Sequence, residues 1–173
     1  MSQSAPLVAV PDPAPPARTF EDFFEAEHVR LFRALALMTA SAHEAEELMQ
    51  DAFLKVWERW DRVAAMEDPT GYLYRTAMNR FRNRYRRLRL EALRRPGGGD
   101  ATDGFARVEA RDQVARALRG LAPRQRAALV LTDMLGFESA EAGELLHVAP
   151  GTVRALAHQA RESIRRRTEP DHE

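Results

Sequence analysis

The chain has 173 residues, with 26 Lys plus Arg against 26 Asp plus Glu, no cysteine, 45% apolar and 8% aromatic side chains. That suffices for one or two modest cores and excludes a large multidomain enzyme; the lack of cysteine excludes disulfides and thiolate metal sites. No run approaches the roughly 18 uncharged apolar residues of a membrane span, so a soluble, cytoplasmic protein without membrane insertion is expected.

Residues 1–18 are rich in proline (Pro6, Pro11, Pro13, Pro15, Pro16) with small residues between, a composition of disordered tails. The apolar run Leu7–Val10 has no basic stretch before it and ends at Pro11, so it does not read as a signal peptide. From Phe20, apolar residues recur at steps of three and four through Phe23, Phe24, Leu31, Leu35 and Met38, which predicts an amphipathic helix. After a break at Thr39–Ala42, Leu48, Met49, Ala52, Phe53, Val56, Trp57 and Trp60 form the stripe of a second helix, with Glu44, Glu47, Asp51 and Glu58 off it. Both tryptophans continue the stripe and are read as core. Thr19–Asp61 holds 4 basic and 10 acidic residues, net −6.

Asp68 and Pro69 form a start signal, an N-cap followed by proline at the first helical position. A third helix is expected to run to about Leu93, burying Leu73, Ala77, Phe81, Tyr85 and Leu88 while Arg75, Asn79, Arg82, Asn83 and Arg86 share another face. Pro69–Arg95 carries nine arginines, no lysine and one glutamate, net +8, interleaved with aromatics and Asn. Arginine forks grip phosphates and aromatic rings stack on bases, so this composition points to nucleic acid, and the acidic block to a separate protein partner.

Pro96-Gly97-Gly98-Gly99-Asp100 breaks the chain, and residues 94–106 read as a flexible linker between two small domains, 19–93 and 107–168, with 169–173 an acidic tail. In the second domain a short helix is expected around Val108, Val114 or Ala115, and Leu118. Another spans Pro123–Leu135, closed by Gly136 at C′. Ser139 caps a short helix to Leu146, and after a His147-Val148-Ala149 turn Pro150 opens a last helix with buried Val153, Leu156, Ala157, Ala160 and Ile164. Two helices on a three-residue turn, the second basic (net +4 over His147–Thr168), read as a helix-turn-helix. Arg154, His158, Arg161 and Arg165 occupy one sector of its free face.

The run AEELMQDAFLKVWERWD, Ala45–Asp61, with DPTGYLYRTAMNRFRNRYRR, Asp68–Arg87, resembles region 2 of extracytoplasmic-function sigma factors of the sigma-70 family. ALRGLAPRQRAALVL, Ala117–Leu131, and VAPGTVRALAHQAR, Val148–Arg161, resemble region 4 of the same family. The resemblance implies an all-α, two-domain, non-enzymatic subunit that directs core RNA polymerase to promoters and helps melt the minus-ten region, without a cofactor. It implies that Gln50, Asp51, Lys55 and Glu58 meet the β′ clamp, and that region 4 meets the β flap. Tyr72, Arg75, Asn79, Arg82, Asn83 and Arg86 would capture the minus-ten strand, with Tyr72 or Tyr74 stacking or wedging at the fork. Gly151, Thr152, Arg154, His158 and Arg161 would contact the minus-thirty-five duplex, and an anti-sigma factor would control the protein. The chain departs from the family pattern at Ala149, Ala155, Leu156 and Gln159, and Glu141-Ala142-Gly143 lacks the usual bulky aliphatic residue. The consensus promoter sequence therefore does not carry over.

Two rivals stand beside this reading. A free-standing helix-turn-helix regulator leaves the first half without a task. A nucleic-acid enzyme lacks paired carboxylates, a P-loop or a nucleophile–base pair; the scattered histidines, with no second His at zinc-protease spacing from His43, predict no metal site.

Overall fold

The computed structural model describes residues 19–94 and 113–168. The Pro-rich segment, residues 95–106 of the expected linker, Val108 and the 169–173 tail lie outside the described residues. The described chain is helical throughout: α1 (Phe20–Thr39), α2 (Ala42–Trp57), α3 (Trp60–Ala64), α4 (Pro69–Arg94), α5 (Gln113–Arg119), α6 (Pro123–Leu129) running into a π-helical segment (Val130–Met134), α7 (Ser139–Leu146) and α8 (Pro150–Thr168).

Helix starts follow local chemistry. Thr19 caps α1 in a reciprocal box with Asp22: the Asp22 N–H donates to Thr19 Oγ1 (3.1 Å) and the Thr19 N–H to Asp22 Oδ2 (3.4 Å). Ala40 ends α1 in the left-handed region (φ 59°), and Ser41 caps α2 by accepting the Glu44 N–H. Asp68 caps α4, its Oδ1 accepting the Gly71 N–H at 2.7 Å. Sequence reasoning missed α3, whose five residues are too few to show a helical period.

In the first unit α1 and α2 pack together, and α4 crosses α2. Phe23, Leu31, Leu35, Met38, Leu48, Phe53, Val56, Leu73 and Phe81 are among the buried residues. Trp60 belongs to this core, its ring 5.2 Å from Phe23 and 5.6 Å from Phe20. Trp57 does not: it is 58% exposed, because it lies at the edge of the stripe, where neither α1 nor α4 covers it. Leu88, expected in the buried stripe, is likewise exposed, and so is Val114, one of the two alternatives offered for the stripe of α5. The second unit packs α6 and α7 on α8 around Val130, Leu131, Leu145, Val153, Ala157 and Ala160. The π register lets the Leu135 N–H reach the Val130 carbonyl and the Phe137 N–H reach Leu131, a widened closure before Gly136 (φ 76°).

The buried face of α4 is wider than its periodicity implies. Tyr74 and Met78 are buried beside Leu73 and Ala77, because α4 is covered by α2 on one side and by the second unit, through α7, on another.

Candidate nucleic-acid and polymerase interfaces

On α4, Arg75, Asn79, Asn83 and Arg86 are exposed, with Arg82 half-buried beside them, and their steps of three and four bring the five onto one side of the helix. Tyr72 is half-buried against the core. Tyr74 is not free to stack on a base: it is 1% exposed, its ring 5.6 Å from that of Phe137, and its hydroxyl has no hydrogen-bond partner. Burial pushes its phenol up to about 12. The Tyr85 phenol is raised for the same reason, although Arg126, whose Nη2 donates to its oxygen at 3.4 Å, pulls the other way.

Two further arginines of the block do different work. Arg80 pairs with Asp51 (3.5 Å), and Arg84 with Glu47 (2.9 Å) and Glu44 (3.4 Å). Opposite charges at the α2–α4 contact thus neutralise part of the acidic face within the unit.

Gln50, Asp51 and Glu58 are exposed and Lys55 is half-buried on α2. Gln50 donates to Glu46, and Lys55 Nζ donates to Glu58 Oε2 at 2.8 Å, which holds the Glu58 carboxyl below its ordinary value. Between them the structure exposes Leu54 (54%) and Trp57, beside a groove lined by Phe20, Phe24 and Phe53 and rimmed by Glu21, Glu25 and Asp51. Exposed apolar side chains ringed by charge are a pattern common to protein-binding surfaces. Sequence reasoning missed this apolar centre because Trp57 falls on the same helical stripe as the core.

Gly151, Thr152, Arg154, His158 and Arg161 are all exposed on α8. Arg154 lies over the first turn, its Nη2 near Gly151, whereas Arg161 leans back, its Nε 3.8 Å from Asp133 and donating to Ala157 O. The departures from the family pattern have structural correlates. Gly143 lets the recognition turn close: the Val148 N–H donates to Gly143 O at 2.9 Å, and a Cβ there would sit 2.8 Å from Val148 O. Gln159 accepts from Gln125, and Leu156 lines a cleft toward α4 with Phe81 and Tyr85. Ala149 offers no side-chain cap, forgoing about 1 kcal/mol. Ala155 is exposed, and nothing in the structure explains its choice. Among the described residues no group of acidic or histidine side chains is arranged to hold a metal, and no helix is long and apolar enough to cross a membrane.

Two helical units, one with a basic amide-bearing helix and one with a basic helix-turn-helix, define a DNA-binding transcription protein. Comparison with known proteins makes this specific. Residues 23–91 match the Sigma-70 region 2 family and residues 111–164 match Sigma-70 region 4. The chain is 30% identical to the ECF RNA polymerase sigma factor SigM of Mycobacterium tuberculosis, over 85% of this chain and 76% of that protein. It is 26% identical to the RNA polymerase sigma-E factor of Streptomyces avermitilis, over 87% and 85%. Its fold is similar to that of the sigma factor RpoE solved with the anti-sigma factor NepR from Bartonella quintana (TM-score 0.68, 21% identity, covering 88% of this chain and 98% of that one). The chain belongs to the ECF RNA polymerase sigma factors of the sigma-70 family.

Proposed function

We propose that this sigma factor docks on the β′ clamp of core RNA polymerase through the Gln50–Glu58 surface of α2 and on the β flap through its second unit. It opens minus-ten DNA with the Arg75–Arg86 face of α4 and reads minus-thirty-five DNA with α8. The observation that carries the reading is the pair of exposed basic faces, one in each family-matched unit, with the acidic-rimmed apolar surface of α2 on the first. On α4, Asn79 and Asn83 offer amides to base edges while Arg75, Arg82 and Arg86 hold phosphates, and Tyr72 flanks the entry. Unstacking costs a few kcal/mol per step, which the arginine contacts offset; no nucleotide hydrolysis or metal enters. On α8, Arg154 and His158 point to base edges, with Gly151, Thr152 and Arg161 at phosphates.

The relative solved with NepR supports the inference that an anti-sigma factor controls this protein, acting in the cytoplasm where polymerase is found. The test is transcription by core polymerase, with and without the protein, on fragments of the source genome with every start mapped. Protein-dependent starts sharing two spaced motifs are expected. Tight duplex binding without any association with core would instead favour a free-standing regulator.

A further inference from the structure

A cleft of 630 Å³ beside α4 gathers positive charge that nothing neutralises. Arg82 and Arg86 line one wall and Arg124 of α6 the other, and no Asp or Glu is among the lining residues. Elsewhere, arginines packed between helices meet carboxylates: Arg80 and Arg84 on α2, and Arg161 at Asp133. Among the described residues Arg82, Arg86, Arg124 and Arg126 form no such pair. Arg126 adjoins the cleft at Tyr85, whose oxygen its Nη2 meets at 3.4 Å, and is only 7% exposed. Its Nε and Arg82 Nη1 are both buried without a hydrogen-bond partner. A desolvated guanidinium with no counter-charge is costly, and an N–H with no acceptor adds to the cost; an anion lodged in the cleft relieves both.

The cleft is more than a phosphate seat. Tyr85, Pro123 and Leu156 give it an apolar wall, and its volume falls in the range of small-molecule sites, roughly 300–1,000 Å³. An inorganic anion would use the arginines and leave that wall without a partner. A planar ring laid on the wall, with phosphates reaching the guanidinium forks, uses both. We propose that this cleft binds a free nucleoside triphosphate, its phosphates on Arg82, Arg86 and Arg124, its ring against Tyr85, Pro123 and Leu156, and its edge at the Asn83 amide. A bound nucleotide occupies Arg82, Asn83 and Arg86, the same side chains that the proposed function gives to minus-ten DNA, and so competes with that strand. The competition rests on that reading; the site itself does not.

Calorimetric titration of the full-length protein, without polymerase or DNA, tests the site with ATP, GTP, CTP and UTP in turn. At least one should bind saturably. Arg124→Ala, at an exposed residue outside the proposed DNA faces, should weaken that nucleotide about tenfold or more. Arg87→Ala, exposed on α4 but not lining the cleft, should change it by less than about twofold, since an exposed charge outside the site acts only through screened attraction. Inorganic tripolyphosphate should bind about tenfold more weakly than the nucleotide, for want of a stacking ring. No saturable binding of any of the four at millimolar concentration overturns the site, as does an equal loss in both variants; tripolyphosphate binding as tightly as the nucleotide overturns the assignment to a nucleotide. In a second arm, the nucleotide should release a labelled single-stranded oligonucleotide from the same protein, and should need about tenfold more to do so from Arg124→Ala. An oligonucleotide that stays bound while calorimetry shows the cleft filled overturns the competition. If the unaltered protein neither binds the oligonucleotide nor initiates transcription with core polymerase, the proposed function fails, and the calorimetry still decides the site.

Discussion

Trp57→Ala separates the two roles an aromatic on this helix can play. The indole is 58% exposed; covering that part of a side chain of roughly 200 Å² removes on the order of 120 Å² from water, worth about 3 kcal/mol at about 25 cal/mol per Å². If Trp57 is an anchor of the polymerase dock, its loss should raise the Kd for core polymerase by about a hundredfold. The folded protein alone should barely respond, within about 0.5 kcal/mol, as for other surface substitutions. Trp60→Ala is the converse control, since Trp60 packs on Phe20 and Phe23 and its truncation should cost about 3–5 kcal/mol of stability. Titration of labelled protein with core polymerase gives the affinity, and urea unfolding followed by circular dichroism gives the stability. A Trp57→Ala protein that loses more than about 2 kcal/mol of stability yet binds core normally would refute the reasoning and return Trp57 to the core.

Asn79→Ala with Asn83→Ala should lower open-complex formation about tenfold or more while leaving recruitment to promoter DNA nearly unchanged, as permanganate footprinting and gel shift of the holoenzyme would show. Arg154→Ala should relax base preference in the upstream element by about 1–3 kcal/mol at one position, measured by selection from a randomised promoter library; an unaltered profile would remove Arg154 as a reader. Alkaline stability should depend on Tyr74: its phenol is raised from 10 to about 12, so its contribution is fully present below pH 10 and is lost as pH rises toward 12, by at most about 2–3 kcal/mol. Urea unfolding across that window should show a shallower decline for Tyr74→Phe, the remaining slope including Tyr85, whose phenol is also raised.

Much of this architecture is written locally. Thr19, Ser41 and Asp68 accept the N–H groups that their side-chain chemistry predicts. What was not legible is set by packing between distant segments. A stripe at steps of three and four spans more than one buried face, so periodicity alone does not separate Phe53 and Val56, sealed inside, from Trp57, at the open edge. Tyr74, one of the two tyrosines that the family resemblance offers for the fork, is covered by Phe137, more than sixty residues away. The five residues of α3 were lost for a different reason, being shorter than two helical turns.

The arginines of α4 show why a charge block should be divided before it is interpreted. Arg80 and Arg84 are engaged with Asp51, Glu44 and Glu47 of α2, so part of the +8 block serves to join two helices of one unit. These pairs are partly exposed and each is worth little in stability, but they fix the direction of the helix: with Arg80 and Arg84 turned to α2, the steps of three and four leave Arg75, Asn79, Asn83 and Arg86 on the other side. The same pairing limits how many phosphates the helix can neutralise, since a guanidinium already facing a carboxylate releases fewer counterions from DNA. The salt dependence of minus-ten binding should therefore reflect fewer arginines than the nine of the block, Arg80 and Arg84 being engaged at the α2 contact. On the proposed function, specificity at this element falls to the amides of Asn79 and Asn83, which carry no charge to screen.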